Sequence, residues 1–347
     1  MKRHRRAGRA GALLSAALLA VAGCAGGGAT TTTGEGGGAS LKGETIHFVV
    51  SYGPGGGYDI IARAIAPYLE KELDATVVVE NEDGAGGLVA ANQVYTAEPD
   101  GTTIGFYSGQ GMAGAALGGA DGARFSIPKY SFIGRLGNEP RVLTVGKRSG
   151  LKTIEDVRSA ENLRFASSGP GGSEHIDATV LFPILGIDGK VVTGYEGSSE
   201  TELTVTKGDT DATSGTLGTR LPAIERGDHR AALVIGAERA DELPDVPALM
   251  ELDGLTGENR QLAQAHTLMQ DMGRMVLAPP KLPRQQLTEL RDAFRSVSED
   301  PKVLAKLEKA GQPIAFLNGD KARAVADKTL QAPDAYKKLL RGAYGGQ

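Results

Sequence analysis

The sequence predicts an α/β fold in two lobes, with parallel strands covered by helices. Three observations carry this. Short apolar runs, glycine-rich breaks and helix-period segments alternate along the chain, the pattern of a parallel sheet with crossover helices. That theme begins near residue 45 and restarts near residue 141. At 347 residues the chain has room for two domains of roughly 150 residues each.

The first strand is the β-rich run 45–50, which breaks at Tyr52, Gly53, Pro54, Gly55, Gly56 and Gly57. From Asp59 on, Ile61, Ile65, Tyr68 and Leu69 recur at helical spacing. Pro67 inside that pattern is expected to kink or shorten the helix. Residues 76–80 read as a buried strand, 81–87 as a turn, 88–97 as a helix and 102–107 as a third strand. In the second half, 141–145 is a strand. Thr153 with Asp156 matches a helix N-cap pair. Strand 163–166 leads into Ser167, Ser168, Gly169, Pro170, Gly171, Gly172 and Ser173, then a helix over 174–185. Val191 and Val192, then 231–235, read as further strands. From Pro283 the chain turns helical, with Leu287, Leu290, Phe294 and Val297 on one stripe, and Val303, Leu304 and Leu307 on another. Lys309 and Gly311 suit the end of that second helix.

The glycine loops 53–57 and 169–172 each follow a strand and open a helix. A helix N-terminus offers unpaired N–H groups and a partial positive charge, and glycine lets a ligand approach that backbone. Each loop is a candidate cradle for a carboxylate or phosphate, or an ordinary turn. One in each half points to two lobes gripping an anion.

Composition narrows the classes. Lys and Arg number 38 against 42 Asp and Glu, a net charge of −4, with 40% apolar residues. That excludes a mainly disordered chain, and no basic excess is present to neutralise nucleic-acid phosphates. The 50 glycines are twice the usual share of about 7%. Residues 1–23 read as a signal peptide, with Lys2, Arg3, Arg5, Arg6 and Arg9 before an apolar stretch too short to span at roughly 20 residues. Val21, Ala22 and Gly23 before Cys24, the single cysteine, match a lipobox. The expected product is a lipoprotein acylated at Cys24, exported and anchored on the outer side of the cell membrane. Residues 24–43 read as a flexible tether.

The breaks also carry a resemblance. Residues 49–63 combine a Pro-containing Gly55-Gly56-Gly57 turn with Asp59, then Ala62 and Arg63. Residues 79–87 carry Glu80, Asn81, Gly84, Ala85, Gly86 and Gly87. Pro99, Asp100, Gly101, Thr102 and Thr103 follow, then Ser167, Ser168, Gly169, Gly171, Ser173 and His175, and last Leu243, Pro244, Asp245, Val246 and Pro247. These five ordered signatures, spread over most of 44–347, resemble the substrate-binding proteins of tripartite tricarboxylate transporters, the Bug/TctC family.

The resemblance implies a two-lobed periplasmic-binding-protein-like fold with a small organic carboxylate in the cleft, delivered to the membrane subunits of a secondary transporter. It implies that backbone N–H groups and waters hold the carboxylate, rather than an arginine clamp. Its ligand loops correspond to 52–59 and 167–173, and it places at the site Tyr52, Gly55, Gly56, Asp59, Ser108, Ser168, Gly169, Ser173 and Tyr195. Structural roles compete: Asp59 caps the first helix, touches ligand, or both; Arg63 pairs with an acid; Asn81 and the glycines 84–87 hold a turn; His175 packs. Gly172 stands where the family usually has Thr or Ser, Glu196 where Lys is frequent, and Gly215-Thr216 where Phe-Asp-like residues are common. These departures weigh against a citrate-like ligand and towards a monocarboxylate or a ligand with a positive group.

Lobe one is expected at 44–143 plus 274–347 and lobe two at 144–273, with crossings near 140–146 and 268–278, hinge closure on binding, and a monomeric chain. A ligand sensor for a signalling receptor needs the same cleft and is the alternative. An exported enzyme is weaker. The Gly109-Gln110-Gly111-Met112-Ala113-Gly114 stretch fits a dinucleotide fingerprint only in spelling, because it follows the third strand and lacks the acidic partner. The nucleophile-elbow pattern is absent. His4, His47, His175, His229 and His266 are too scattered to support a metal set or a triad. No cofactor is expected.

Overall fold

The computed structural model describes residues 39–138 and 140–344. The expected signal peptide at 1–23, the acylated Cys24 and the tether up to 38 lie outside the described residues. The last part of the expected tether belongs to the folded body: Leu41 is buried and its amide donates to Glu289 Oε2 at 2.9 Å.

Strand β1 (Thr45–Val50), α1 (Gly57–Leu73), β2 (Thr76–Asn81), α2 (Leu88–Thr96) and β3 (Thr103–Ser108) form the first strand–helix series. β1 pairs in parallel with β2 and with β3, as helical crossovers demand. α1 runs through Pro67 without ending there; the proline is exposed, so its ring faces solvent rather than the core. The helix closes at Asp74, in the left-handed conformation, whose N–H bonds Glu70 O. α3 (Gly109–Gly118) follows β3 directly and β4 (Ser131–Arg135) comes next.

The second series is β5 (Arg141–Gly146), α4 (Ile154–Ser159), β6 (Leu163–Ala166), α5 (Ser173–Leu185), β7 (Gly189–Val192), α6 (Ser198–Lys207), β8 (Ala212–Thr216), α7 (Leu217–Glu225) and β9 (His229–Ile235). Thr153 and Asp156 make the expected capping box on α4, with Asp156 N on Thr153 Oγ1 and Thr153 N on Asp156 Oδ2. α8 (Gly257–Met269) leads into β10 (Arg274–Ala278), then α9 (Arg284–Glu299), α10 (Pro301–Lys309), β11 (Leu317–Asn318), α11 (Gly319–Leu330) and α12 (Asp334–Tyr344).

These strands form two sheets, β11-β4-β10-β3-β1-β2 and β7-β6-β8-β5-β9. The sheets are mixed, not purely parallel as expected. β10 runs antiparallel to β3 and β4, and β5 antiparallel to β8 and β9. Both are the strands by which the chain changes sheet. They arrive from the other lobe instead of through a crossover helix, so no right-handed βαβ unit forces them parallel. β5 belongs wholly to the second sheet, so the boundary expected after residue 143 falls inside a strand, and the change of sheet occurs at 136–140.

One core lies against the first sheet, where Phe48 meets Phe106 at 5.8 Å and Phe294 edge-on at 5.7 Å between ring centroids. The larger core joins both halves through α3, α5 and α12, with Met112, Ile176, Val180, Tyr336 and Leu340 buried in it. The two halves are thus joined through these helices, and loops at the strand ends of one half meet those of the other.

Candidate functional site

Each glycine loop meets main chain from the other half. Gly171 N donates to Ala85 O at 2.9 Å, and Gly53 N to Glu196 O at 2.9 Å, so main chain from the first sheet's loops bonds main chain from the second's. A side chain at Gly86 (φ 70°) would put Cβ 2.2 Å from Gly172 N, and one at Gly111 would put it 1.8 Å from Gly171 O. The glycines of 109–114 therefore let α3 approach the second half closely. Ser108 caps that helix by accepting from Gly111 N at 3.0 Å.

Behind these loops, between the two sheets, lies a narrow cavity of about 40 Å³, smaller than a typical small-molecule site of about 300–1,000 Å³, so a ligand needs the two halves to part. Tyr52, Gly57, Tyr58 and Arg274 line it from the first sheet's side. Arg141, Ser173, Glu174, Ser214, Thr216, Thr219 and Arg220 are among those that line it from the second. A smaller chamber beside it adds Ser108, Gln110, Asn138 and Gln270. An outer mouth is bounded by Gly55, Gly56, Ser198, Ser199 and Glu202.

Three guanidiniums converge here although their residues are far apart in sequence. Arg141 opens β5 and Arg274 opens β10, the two sheet-changing strands, and Arg220 sits on α7. Each is held by its own partners. Arg141 donates through Nε (2.9 Å) and Nη2 (2.6 Å) to Asp177 Oδ2, and through Nη2 to Ser214 Oγ. Arg220 Nη2 donates to Ser214 O (2.8 Å) and Thr201 Oγ1, and its Nη1 lies 3.4 Å from Glu202. Gly215 makes room for it, since a Cβ there would be 2.4 Å from Arg220 Nε. Arg274 Nη2 bonds Thr216 Oγ1 and Gln312 Oε1, and its guanidinium stands over the Tyr58 ring at 5.6 Å.

Asp177 ties the site together. Fully buried, it also accepts from Gln110 Nε2 (2.8 Å), Ser214 Oγ (2.6 Å) and His266 Nε2 (3.0 Å), while His266 Nδ1 meets Tyr336 OH at 2.9 Å. Burial alone would raise its pKa, but the Arg141 and His266 partners outweigh that and hold the carboxyl well below the usual range. Arg141 answers in kind: burial would depress it, and Asp177 holds it above its ordinary value. Burial pushes the Tyr52 phenol well above its ordinary value, with Tyr58 and Glu174 adding to the shift, and raises that of Tyr58. Both phenols remain hydrogen-bond donors at neutral pH.

The expected site residues separate into three groups. Tyr52 and Ser173 line the main cavity, and Ser108 the chamber beside it. Gly55 and Gly56 lie at the mouth, while Gly57 and Tyr58 take the inner wall. Asp59, Ser168, Gly169 and Tyr195 do not line the cavity, for local reasons. Asp59 is spent on its own turn, accepting from Gly55 N (2.9 Å) and Arg63 Nε (2.8 Å). Ser168 donates through both N and Oγ to Glu174 Oε1. Gly169 packs against Ala85 and Gly86, and the Tyr195 hydroxyl meets Thr204 Oγ1 at 3.3 Å. Asn81 binds Tyr52 O and Arg63, and His175 stacks on Tyr344. The arginines differ from the implied clamp-free wall. Their one sequence signal was a charged residue opening an apolar strand, at Arg141 and Arg274.

A family model described as the tripartite tricarboxylate transporter family receptor matches residues 61–339. The chain is 27% identical over 308 residues to the UPF0065 protein of the tcbD-tcbE intergenic region of a Pseudomonas species, with 85% of each chain covered. Among solved structures, the periplasmic binding protein BugD matches with a TM-score of 0.72 at 22% identity, over 86% of this chain and 97% of that one. MatC from Rhodopseudomonas palustris, with bound malate, matches at 0.71 and 23% identity, over 86% and 99%. Both likenesses are to the two-lobed fold.

Proposed function

This chain belongs to the tripartite tricarboxylate transporter receptor family, and from that premise we propose that its interlobe cavity captures a small organic carboxylate for the membrane subunits of a secondary transporter. The observation that supports this most directly is the convergence of Arg141, Arg220 and Arg274, with the Tyr52 and Tyr58 rings and several hydroxyls, on one cavity roofed by both halves of the chain. A guanidinium is the side chain best shaped for a carboxylate. In a water-poor cleft its attraction far exceeds that of a screened surface charge. MatC, which shares the fold, has malate bound, and malate fits that chemistry.

The ligand is held and released unchanged, with no turnover, and the lobes part to admit it and close around it. The receptor acts as a monomer. The leader at 1–23 sends it out of the cytoplasm and a lipid on Cys24 keeps it at the membrane; no helix among the described residues is long and apolar enough to cross one.

The test is a thermal-shift panel of mono-, di- and tricarboxylates on the purified chain. A cognate acid at 100 times its Kd stabilises the fold by about 2.7 kcal/mol. A panel in which no organic acid moves the melting temperature overturns the proposal.

A further inference from the structure

Glu174 is the one acidic side chain in the wall of the main cavity among the described residues. It is the second residue of α5, in the loop-to-helix segment expected to hold the ligand's own carboxylate. Its Oε1 already occupies that cradle, accepting from Ser168 N at 2.8 Å and from Ser168 Oγ. Gly172 leaves it room, because a Cβ there would lie 2.5 Å from Ser168 Oγ and 2.6 Å from Glu174 Oε1. The other oxygen, Oε2, has no hydrogen-bond partner among the described residues and is not fully buried, and Glu174 as a residue lines the cavity.

That oxygen changes what the cavity accepts. A carboxylate placed against it meets a like charge in a poorly hydrated space. An ammonium placed there gains a charge-assisted hydrogen bond, and Tyr52 and Tyr58 line the same cavity. The charge balance agrees. Among the described residues the wall carries three guanidiniums, and Glu174 joins Asp177 and Glu202, the carboxylates that Arg141 and Arg220 contact. The surroundings are closer to neutral than to cationic, which disfavours a polyanion such as citrate.

We propose that Glu174 makes this a receptor for small amino-carboxylates, whose ammonium binds Glu174 Oε2 while the carboxylate faces the guanidiniums. This rests on the reading of the cavity as a carboxylate site, and the two can fail separately. The experiment is calorimetric titration of the purified chain with matched pairs: glutamate and glutarate, aspartate and succinate, 4-aminobutyrate and butyrate. In at least one pair the ammonium-bearing member binds about tenfold tighter or more. Glu174→Gln, which keeps an oxygen for Ser168 N, removes most of that preference while the deaminated partner binds as well or better. Equal or tighter binding of the deaminated acids to the unaltered chain overturns the inference and leaves the carboxylate reading standing. A preference that survives Glu174→Gln overturns the role of Glu174. If no member of any pair binds, the carboxylate reading fails and this inference fails with it.

Discussion

Replacing Gly86 by alanine should weaken ligand capture far more than it weakens the fold. The cavity is roofed by loops from both halves, so a ligand enters only when they part and is retained when they meet again. In the closed arrangement the new Cβ would stand 2.2 Å from Gly172 N, 2.6 Å from Gly169 O and 2.8 Å from Gly171 C. All three are backbone, so no side chain can rotate away. Ordinary contact begins near 3.4 Å, and the loops must separate by roughly 1 Å to reach it. Overpacking of this kind costs about 1–3 kcal/mol. The same movement stretches the bond from Gly171 N to Ala85 O, now 2.9 Å, worth about 0.5–1.5 kcal/mol net. Alanine at φ 70° adds about 1–2 kcal/mol of backbone strain. That strain is present in open and closed forms alike, so it lowers stability but not affinity. The closed form therefore loses about 1.5–4.5 kcal/mol, or about 10- to 2,000-fold in apparent affinity. Calorimetry with the tightest carboxylate of the panel reads this directly. Gly119→Ala is the control, because Gly119 shares φ 70° but has nothing within 4 Å of its would-be Cβ. It should lose stability and keep its affinity. Unchanged affinity in Gly86→Ala, or an equal loss in Gly119→Ala, would refute the closure argument.

Two further predictions concern buried ionisable groups. Asp177→Asn leaves the Arg141 guanidinium buried without its counter-charge, and should cost about 3–5 kcal/mol in urea unfolding; a loss below about 1 kcal/mol would contradict the network. Because the folded-state pKa of Asp177 lies below the unfolded value of about 3.9, its contribution is full above about pH 5 and declines as pH falls below 4. The variant should therefore show a flatter acid limb. His229 is pushed down to about 4 by burial, with the Arg220 charge adding. Its ring meets Thr206 Oγ1 at 3.0 Å and Thr144 Oγ1 at 3.4 Å. Here the neutral form is the one that folds, so stability is full above pH 6.5 and declines as pH falls towards 4. His229→Gln should flatten the profile in that window, and an ordinary titration of His229 by NMR would contradict it.

Elements whose signal is local were legible in the amino-acid order. β1, β2, β6 and β9 are compact apolar runs, α9 repeats Leu287, Leu290, Phe294 and Val297 on one face, and the α4 capping box needs only Thr153 and Asp156. The glycine loops were legible as places of close approach, and close approach is their role. Their partners were not: Gly53 bonds Glu196 and Gly171 bonds Ala85, and spacing along the chain says nothing of what lies across a cleft. Four candidate residues were drawn off the site by local competition. Asp59 found Gly55 and Arg63, Ser168 found Glu174, Gly169 packed against Ala85 and Gly86, and Tyr195 found Thr204. Spacing had fixed their position without their orientation.

The cavity's charge came from elsewhere. Arg141, Arg220 and Arg274 are widely separated in sequence, and none has a periodic or motif signal. Arg141 and Arg274 converge because β5 and β10 change sheet and enter antiparallel, which brings the first residue of each strand to the cleft, and Arg220 joins them from α7, directly after β8. Family and two-lobed fold were written in local patterns of apolar runs and glycine breaks, because those depend on backbone preference and burial within a few residues. Which charges face the ligand depends on strand direction and on which hydrogen bonds are already taken. Both are settled by contacts between residues dozens to more than a hundred positions apart, and only the folded chain brings those together.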